Sequence, residues 1–287
     1  MVRINHLNPN PEVNIFAKLE GFNPTGSIKD RIAARMIEQA EREGRLHSGK
    51  VILEPSSGNT GIGLAVVGIV KGYEVEIVMS EAVSVERRKL LRACGARVLL
   101  TPKEEGTDGA IRLAREMYQS APERYFMPDQ FTNIANYLAH YEHTANEIWQ
   151  QTNGQIDYFV SAVGTSGTLM GVSRFLRAMN PDIKVVCAHP VRGHYIQGLK
   201  NMEEAIVPDI YCPSLIDIQE MIESEEAIEW ARRIIRYEGI FAGMSSGAAM
   251  LAAYRTAERM EQGDIVVVFA DRTEKYLSTV MFEPFDY

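Results

Sequence analysis

Apolar positions along this chain fall into two rhythms that alternate from end to end. The stretch 14–20 places Ile15, Ala17 and Leu19 on one side, the two-residue period of a strand. The next segment places Ile28, Ile32, Met36, Ile37 and Ala40 on one helical face, with Ser27 as the expected N-cap and Gly44 just past the end. Val51-Ile52-Leu53 reads as a short buried strand running into Pro55-Ser56-Ser57-Gly58-Asn59-Thr60, and a small-residue helix to about Lys71 closes at Gly72. A strand at 75–79 leads to a helix capped by Ser84 and stopped by Gly95, and a strand at 98–100 leads to a helix over 108–118. After a loop at 130–133 comes a long helix over 134–150. A strand at 158–162, a glycine-rich loop, a helix to Met179 and a strand at 185–188 continue the pattern. Residues 189–213 have little period and many turn formers, as a functional or lid-like loop would. A helix at 225–237, a loop at 243–245, a helix at 248–260 and a strand at 265–270 complete it. This alternation predicts an α/β fold of parallel sheets with helices on both faces. Two α/β lobes meeting near 131–150, with the crevice between them as the site, is the simplest architecture.

Composition removes several function classes. The 287 residues are 46% hydrophobic and 24% charged, as in an ordinary folded protein with ample core. Net charge is −8, and the one basic cluster, Arg87-Arg88-Lys89, falls on a predicted helix, so no nucleic-acid partner is expected. No apolar run reaches membrane-spanning length and the N-terminus lacks the form of a signal peptide, so a cytoplasmic location without a membrane partner is expected. Cys94, Cys187 and Cys212 are widely spaced and odd in number, which fits neither a disulfide scaffold nor a paired-cysteine metal site.

Lys29 falls in the first turn of the predicted 28–40 helix. There the positive end of the helix dipole, and any burial, favour a neutral and nucleophilic amine. Such an amine is what a Schiff base to pyridoxal phosphate requires, although most first-turn lysines are solvated charges. Three loops share one design, small residues between a strand end and a helix start, where backbone N–H groups are free to bind anions. Ser56-Ser57-Gly58-Asn59-Thr60 offers hydroxyls, an amide and backbone donors that suit a carboxylate. Gly164-Thr165-Ser166-Gly167-Thr168 offers a nest without lysine, suited to a phosphate that is not transferred; it is neither a Walker A loop nor a G-x-G-x-x-G. Each loop alone also fits a tight turn that binds nothing. The third, Gly243-Met244-Ser245-Ser246-Gly247, matches a nucleophile elbow, but all six histidines precede Ser245, so a hydrolase would lack its base. His140 and His143 are three apart without a third ligand, so no metal is expected. Asp271-Arg272-Thr273-Glu274-Lys275 is either a solvated charged loop or part of a site rim.

The ordered set of motifs resembles a known family. Asn23-Pro24-Thr25-Gly26-Ser27-Ile28-Lys29-Asp30-Arg31 looks like the lysine motif of fold-type II pyridoxal phosphate enzymes, and within them of the O-acetylserine sulfhydrylases, or cysteine synthases. Ser57-Gly58-Asn59-Thr60-Gly61, Gln130-Phe131, Glu147-Ile148-Trp149, the Gly164 loop, Glu238-Gly239-Ile240-Phe241-Ala242-Gly243, Ser245-Ser246-Gly247-Ala248-Ala249 and Tyr276-Leu277-Ser278-Thr279 extend it along almost the whole chain. Trp149-Gln150-Gln151-Thr152, Gly171-Val172-Ser173-Arg174-Phe175 and the loop from Asp271 are most similar to the B-type branch.

The resemblance implies a tryptophan synthase β-like architecture, with a smaller domain over 19–133 and a larger one over 1–18 plus 134–287. It implies that Lys29 binds pyridoxal 5′-phosphate as a Schiff base and later takes the substrate's α-proton. Gly164, Thr165, Ser166, Gly167 and Thr168 would hold the cofactor phosphate, Asn59 the ring hydroxyl oxygen and Ser245 the pyridine nitrogen. Ser56, Ser57, Gly58, Thr60 and Gln130 would grip the carboxylate of O-acetyl-L-serine or O-phospho-L-serine. Loss of the leaving group would give an aminoacrylate, to which sulfide or another sulfur donor adds to give L-cysteine. A homodimer is implied, with serine acetyltransferase or a sulfur-carrier protein left open as partners.

Three departures qualify the resemblance. Family members usually carry a further segment ahead of a strand like Val2-Arg3-Ile4, and this shorter start reads as either native or truncated. His189-Pro190-Val191-Arg192-Gly193-His194 is unlike the family's acidic or Gln-Pro segment. Lys200 stands where phosphoserine-using relatives carry a basic residue; it is either a substrate-binding cation or a surface charge. A cystathionine β-synthase-like enzyme, a serine/threonine dehydratase-like enzyme and an inactive homologue acting as a binding partner are the rival readings.

Overall fold

The computed structural model describes residues 1–285. The chain opens with strands β1 (Val2–Ile4) and β2 (Val13–Leu19) and helix α1 (Lys29–Arg42). Then β3 (Val51–Pro55), α2 (Asn59–Lys71), β4 (Glu74–Ser80), α3 (Val85–Ala93), β5 (Arg97–Thr101), α4 (Gly106–Ser120) and β6 (Tyr125–Phe126) alternate strictly. Helix α5 (Ile134–Ala139) passes through a π-helical turn (His140–Thr144) into α6 (Ala145–Gln151). After it come β7 (Tyr158–Ala162), α7 (Gly167–Met179), β8 (Lys184–Pro190), β9 (Ile218–Ile222), α8 (Ser224–Arg233), α9 (Met244–Arg259) and β10 (Gly263–Phe269). Two compact units result: Asn23–Asn136, and Met1–Phe22 together with the chain from Tyr137 onward.

The unit over Asn23–Asn136 is a four-stranded parallel sheet in the order β5-β4-β3-β6. All five residues of β3 are buried, because helices cover both faces and no side of the strand meets water. Its side chains alternate between two cores. Ile52 joins Ile37, Leu64 and Ile77, whereas Val51 and Leu53 join Val78, Ala110 and Ala114. From β3 the chain steps to β4 and β5, then returns through α4 to place β6 on the other side of β3. The loops leaving β3 and β6 therefore stand side by side at the carboxyl ends of the strands, a topological switch point where open α/β sheets bind ligands.

The other unit holds a six-stranded sheet in the order β1-β2-β10-β7-β8-β9, parallel except for the antiparallel β1–β2 pair. β7, β8 and β9 step outward in one direction, and β10 returns to lie between β7 and β2. The switch point is here between β7 and β10, so the loops after those strands are neighbours. Ile15, Val160, Val186, Ile265 and Val267 form the core of this unit with Ala248 and Ala252 of α9. A Cβ on Gly247 would lie 2.0 Å from the Ala227 carbonyl oxygen, so glycine there lets α9 pack directly on α8.

The structure adds to and corrects the element pattern. β6 is too short for a periodic signal, and β9 alternates exposed Gln219 and Met221 with buried Glu220 and Ile222 at a sheet edge. Residues 244–245 belong to the first turn of α9 and not to a loop. The predicted 225–237 helix is α8 continued by a π-helical turn at Ile234–Glu238.

Candidate active site

The β3–β6 switch point brings together all five of the expected carboxylate-binding residues. Ser56 is buried, and its hydroxyl oxygen accepts the backbone N–H of Gly58 and of Gly61, both at 3.0 Å, so this side chain shapes the loop. Gly58 has φ +128, and a Cβ on it would lie 2.4 Å from Cδ of Arg87. Arg87 itself is 1% exposed and donates to the Ser57 carbonyl at 3.1 Å. The basic cluster at 87–89 is therefore no surface patch at its first residue: Arg87 is a strut under the loop, a role that only tertiary packing reveals. Asn59 opens α2, and Ser57 and Asn59 stay half-buried while Ser56, Gly58 and Thr60 are buried. The Thr60 hydroxyl donates to Gln130 Oε1 at 2.6 Å, and Gln130 Nε2 donates to the Pro55 carbonyl at 3.0 Å.

Lys29 is the first residue of α1 and half-buried. The buried face behind it is the expected one, with Ile32, Ala33, Met36, Ile37 and Ala40. Ile28, and not Ser27, occupies the N-cap position; the Ser27 hydroxyl still accepts the Lys29 N–H at 3.2 Å. Ahead of the helix, the Asp30 carboxylate accepts the Thr25 N–H at 2.7 Å and the Thr25 hydroxyl, which closes the approach turn onto α1.

At the β7–β10 switch point lies the loop Gly164-Thr165-Ser166, continued by Gly167 and Thr168 at the start of α7. A Cβ on Gly164 would sit 2.3 Å from the Gly198 carbonyl oxygen, so no larger residue fits beneath the 196–200 segment. Ser166 is in the left-handed region at φ +68, no side chain caps α7, and the buried Ser166 hydroxyl has no protein partner. The arrangement is an anion cradle: uncapped N–H groups at a positive helix end, with a spare hydroxyl. Thr168 is tied to the buried His140, whose Nε2 lies 3.3 Å from the Thr168 hydroxyl and whose Nδ1 lies 2.9 Å from that of Thr144. The i,i+4 link from His140 to Thr144 spans the π-helical turn, so the imidazole is part of the cradle's support. In the sequence His140 stands out only as a possible metal ligand; nothing local signals its hydrogen bond to Thr168.

The segment expected to be lid-like is pinned in place. Lys200 N–H donates to the Val163 carbonyl at 3.0 Å, and Asn201 Nδ2 donates to the Pro190 carbonyl at 2.9 Å. Lys200 is no surface charge, being 8% exposed with Nζ donating to the Ile206 carbonyl at 3.3 Å. His189 is buried, and burial lowers its pKa.

Ser245 is buried in the first turn of α9, and the loop after β10 closes on Ala242 and Gly243 just ahead of it. Gly243 N–H donates to the Asp271 carbonyl at 3.2 Å, and the Tyr276 hydroxyl donates to the Asp271 carboxylate at 2.8 Å. A Cβ on Gly243 would lie 2.2 Å from Asp271 Oδ1. Asp271, Thr273 and Lys275 are all buried, so the stretch 271–275 is a packed part of this unit and not a solvated loop.

Comparison with known proteins identifies the family. The family described as pyridoxal-phosphate dependent enzymes matches residues 1–271. A cysteine synthase of Aquifex aeolicus is 46% identical over 280 residues, covering 96% of this chain and 86% of that protein. Cysteine synthase B of Escherichia coli is 41% identical over 282 residues, covering 98% and 92%. The crystal structure of a cysteine synthase from Entamoeba histolytica superposes with a TM-score of 0.91 at 39% identity, covering 100% of this chain and 88% of that one. The cradle fits the cofactor named by the family: the partnerless Ser166 hydroxyl can donate, and the uncapped turn of α7 offers backbone N–H donors, as a phosphate ester requires. The chain belongs to the pyridoxal-phosphate dependent enzymes, among their cysteine synthases.

Proposed function

We propose that this enzyme makes L-cysteine by β-replacement, exchanging the acetate of O-acetyl-L-serine for sulfide. The reading is carried by the 46% identity to a cysteine synthase over 96% of the chain. Placement of the candidate loops at the two switch points supports it. When bound, pyridoxal phosphate supplies an electron sink for the negative charge that develops at the substrate α-carbon.

This chain's own residues supply the rest. The Lys29 amine carries the cofactor and then serves as the base that takes the α-proton and returns it. Gly164, Thr165, Ser166, Gly167 and Thr168 hold the phosphate through backbone N–H and hydroxyl donors. Asn59 donates to the ring hydroxyl oxygen. Ser245 would meet the pyridine nitrogen with a neutral hydroxyl, a partner that would not require that nitrogen to be protonated and would suit a β-elimination. Ser57, Gly58, Thr60 and Gln130 bind the substrate carboxylate, and Ser56 keeps their loop in shape. Acetate leaves with the Cβ–O electron pair, and a sulfur lone pair forms the new Cβ–S bond.

Lys200 supports a second donor. A buried ammonium three residues beyond Gln197, on the segment packed over Gly164, suits the phosphate of O-phospho-L-serine. Unchanged relative kcat/KM for the two donors in Lys200→Ala would remove that role. We place the enzyme in the cytoplasm as a homodimer; no helix among the described residues is long and apolar enough to cross a membrane.

The function is tested by L-cysteine formation from O-acetyl-L-serine and sulfide with pyridoxal phosphate present. Formation of a 2-oxo acid and ammonia without sulfide incorporation would favour a dehydratase. Turnover only with homocysteine would favour a cystathionine β-synthase. Inactivity with every donor would indicate a retired homologue.

A further inference from the structure

The loop that carries Gln130 is held by a side chain that the proposed reaction does not use. Glu54 is the fourth residue of β3 and is 0% exposed. Its carboxyl oxygens accept the backbone N–H groups of two consecutive residues, Asp129 at 2.8 Å on Oε2 and Gln130 at 2.9 Å on Oε1. Two successive N–H groups aimed at one carboxyl form a nest, here filled from within the protein. Asp129 has φ +48, a conformation that a residue with a side chain keeps only when its surroundings impose it. The Glu54 grip opposes that strain, and Arg115 lies 3.6 Å from the Asp129 carboxylate. Asn136 Nδ2 ties down the Gln130 carbonyl at 2.7 Å, and Asn133 Nδ2 the Pro128 carbonyl at 2.9 Å. With its backbone so fixed, the Gln130 amide has one orientation that both accepts from Thr60 and donates to Pro55.

We propose that Glu54 is a positioning residue for the substrate carboxylate: by clamping the Asp129 and Gln130 N–H groups it holds the Gln130 amide against Thr60. The proposal rests on the reading of Thr60 and Gln130 as carboxylate-binding residues. The chemistry of the clamp requires a carboxyl group. Each of its oxygens keeps a lone pair for an N–H group, the hydroxyl oxygen of the protonated carboxyl included, whereas the amide of Glu54→Gln turns an NH2 donor toward one of the two N–H groups. Glu54→Asp keeps the acceptors and withdraws them by one methylene. Since Glu54 lies behind the loop, its loss acts on the bound amino acid and not on the sulfur donor.

The test is steady-state kinetics of Glu54→Gln, Glu54→Asp and Gln130→Ala, varying O-acetyl-L-serine and sulfide in turn, with cofactor content and thermal midpoint recorded for each. Glu54→Gln is expected to raise KM for O-acetyl-L-serine about tenfold or more, while kcat and KM for sulfide stay within about threefold. Glu54→Asp should fall between. A wild-type KM in Glu54→Gln, alongside a raised one in Gln130→Ala, overturns the proposal and leaves the role of Gln130 intact. A wild-type KM in Gln130→Ala overturns both. A uniform loss of kcat and both KM values also overturns the proposal, because a collapsed loop would act on every step. If Glu54→Gln fails to fold, Glu54→Asp decides by the same readouts. Collapse of both variants contradicts it as well, since the clamp would then hold the fold.

Discussion

Thr60 and Gln130, 70 residues apart in the chain, meet through a 2.6 Å hydrogen bond from hydroxyl to amide oxygen. The contact exists because β6 returns beside β3, so the loop ahead of α2 and the loop after β6 leave adjacent strand ends. With its acceptor engaged by Thr60, the Gln130 amide turns its NH2 group the other way, toward the Pro55 carbonyl. Thr60→Val keeps the shape and deletes the hydroxyl, leaving a buried amide oxygen without its donor. The expected loss is about tenfold in kcat/KM for O-acetyl-L-serine. Thr60→Ser should keep most of the activity. A Thr60→Val enzyme with wild-type kcat/KM would contradict this arrangement.

Gly164→Ala should damage cofactor binding before it damages the fold. The new methyl group would lie 2.3 Å from a backbone oxygen, that of Gly198, and backbone cannot swing aside as a side-chain tip does. Either the cradle or the 196–200 segment must shift. Titration with pyridoxal phosphate, followed by absorbance, is expected to show affinity weakened about tenfold or more. Unaltered affinity would mean that the cradle tolerates displacement.

His140→Phe removes the imidazole's hydrogen bonds to Thr168 and Thr144 while keeping a ring in the space. The buried Thr168 and Thr144 hydroxyls then lose their common partner. A loss on the order of 1–3 kcal/mol of stability is expected, read from denaturant midpoints. Apparent cofactor affinity should fall with it, because Thr168 belongs to the cradle. Equal midpoints for variant and wild type would show that the linkage carries no energy.

Burial pushes the Glu54 carboxyl from its ordinary 4.5 up to about 8, against the Gln130 and Asp129 N–H donors, with the nearby Asp129 charge adding to the rise. Between those values the folded chain holds a proton that the unfolded chain has released. Glu54 therefore contributes stability that is fully present below the ordinary carboxylate range and is lost as pH rises towards 8. Thermal midpoints of wild type and Glu54→Gln, compared at about pH 5 and about pH 9, should show the wild type losing more on the alkaline side. A difference independent of pH would contradict the assignment.

Much of this molecule is legible in its sequence for local reasons. Val51-Ile52-Leu53 announces a strand covered on both faces, and the face from Ile32 to Ala40 announces α1. The small residues after β3 and β7 announce βα loops that can approach an anion. What escaped depends on distant partners. Arg87 reads as a surface cation until Gly58 is found resting on its stem. Lys200 reads first as a surface charge and second as a site cation until its bonds to Val163 and Ile206 are seen. The span Gly243–Gly247 looks like a loop because its glycines serve close packing, against Asp271 at one end and Ala227 at the other, and not chain reversal. Glu54 has no local signal at all, since both groups that bind it come from the loop after β6.

The central claim is that this chain is a pyridoxal phosphate enzyme that exchanges the β-substituent of an activated serine for sulfur. The most direct test is a visible absorption spectrum of the purified protein with pyridoxal phosphate. It is recorded first alone, then after O-acetyl-L-serine, then after sulfide. The expected result is a cofactor band that moves when the amino acid is added and returns when sulfide follows, with L-cysteine released. A protein that stays colourless, or whose band ignores both O-acetyl-L-serine and O-phospho-L-serine, would contradict it.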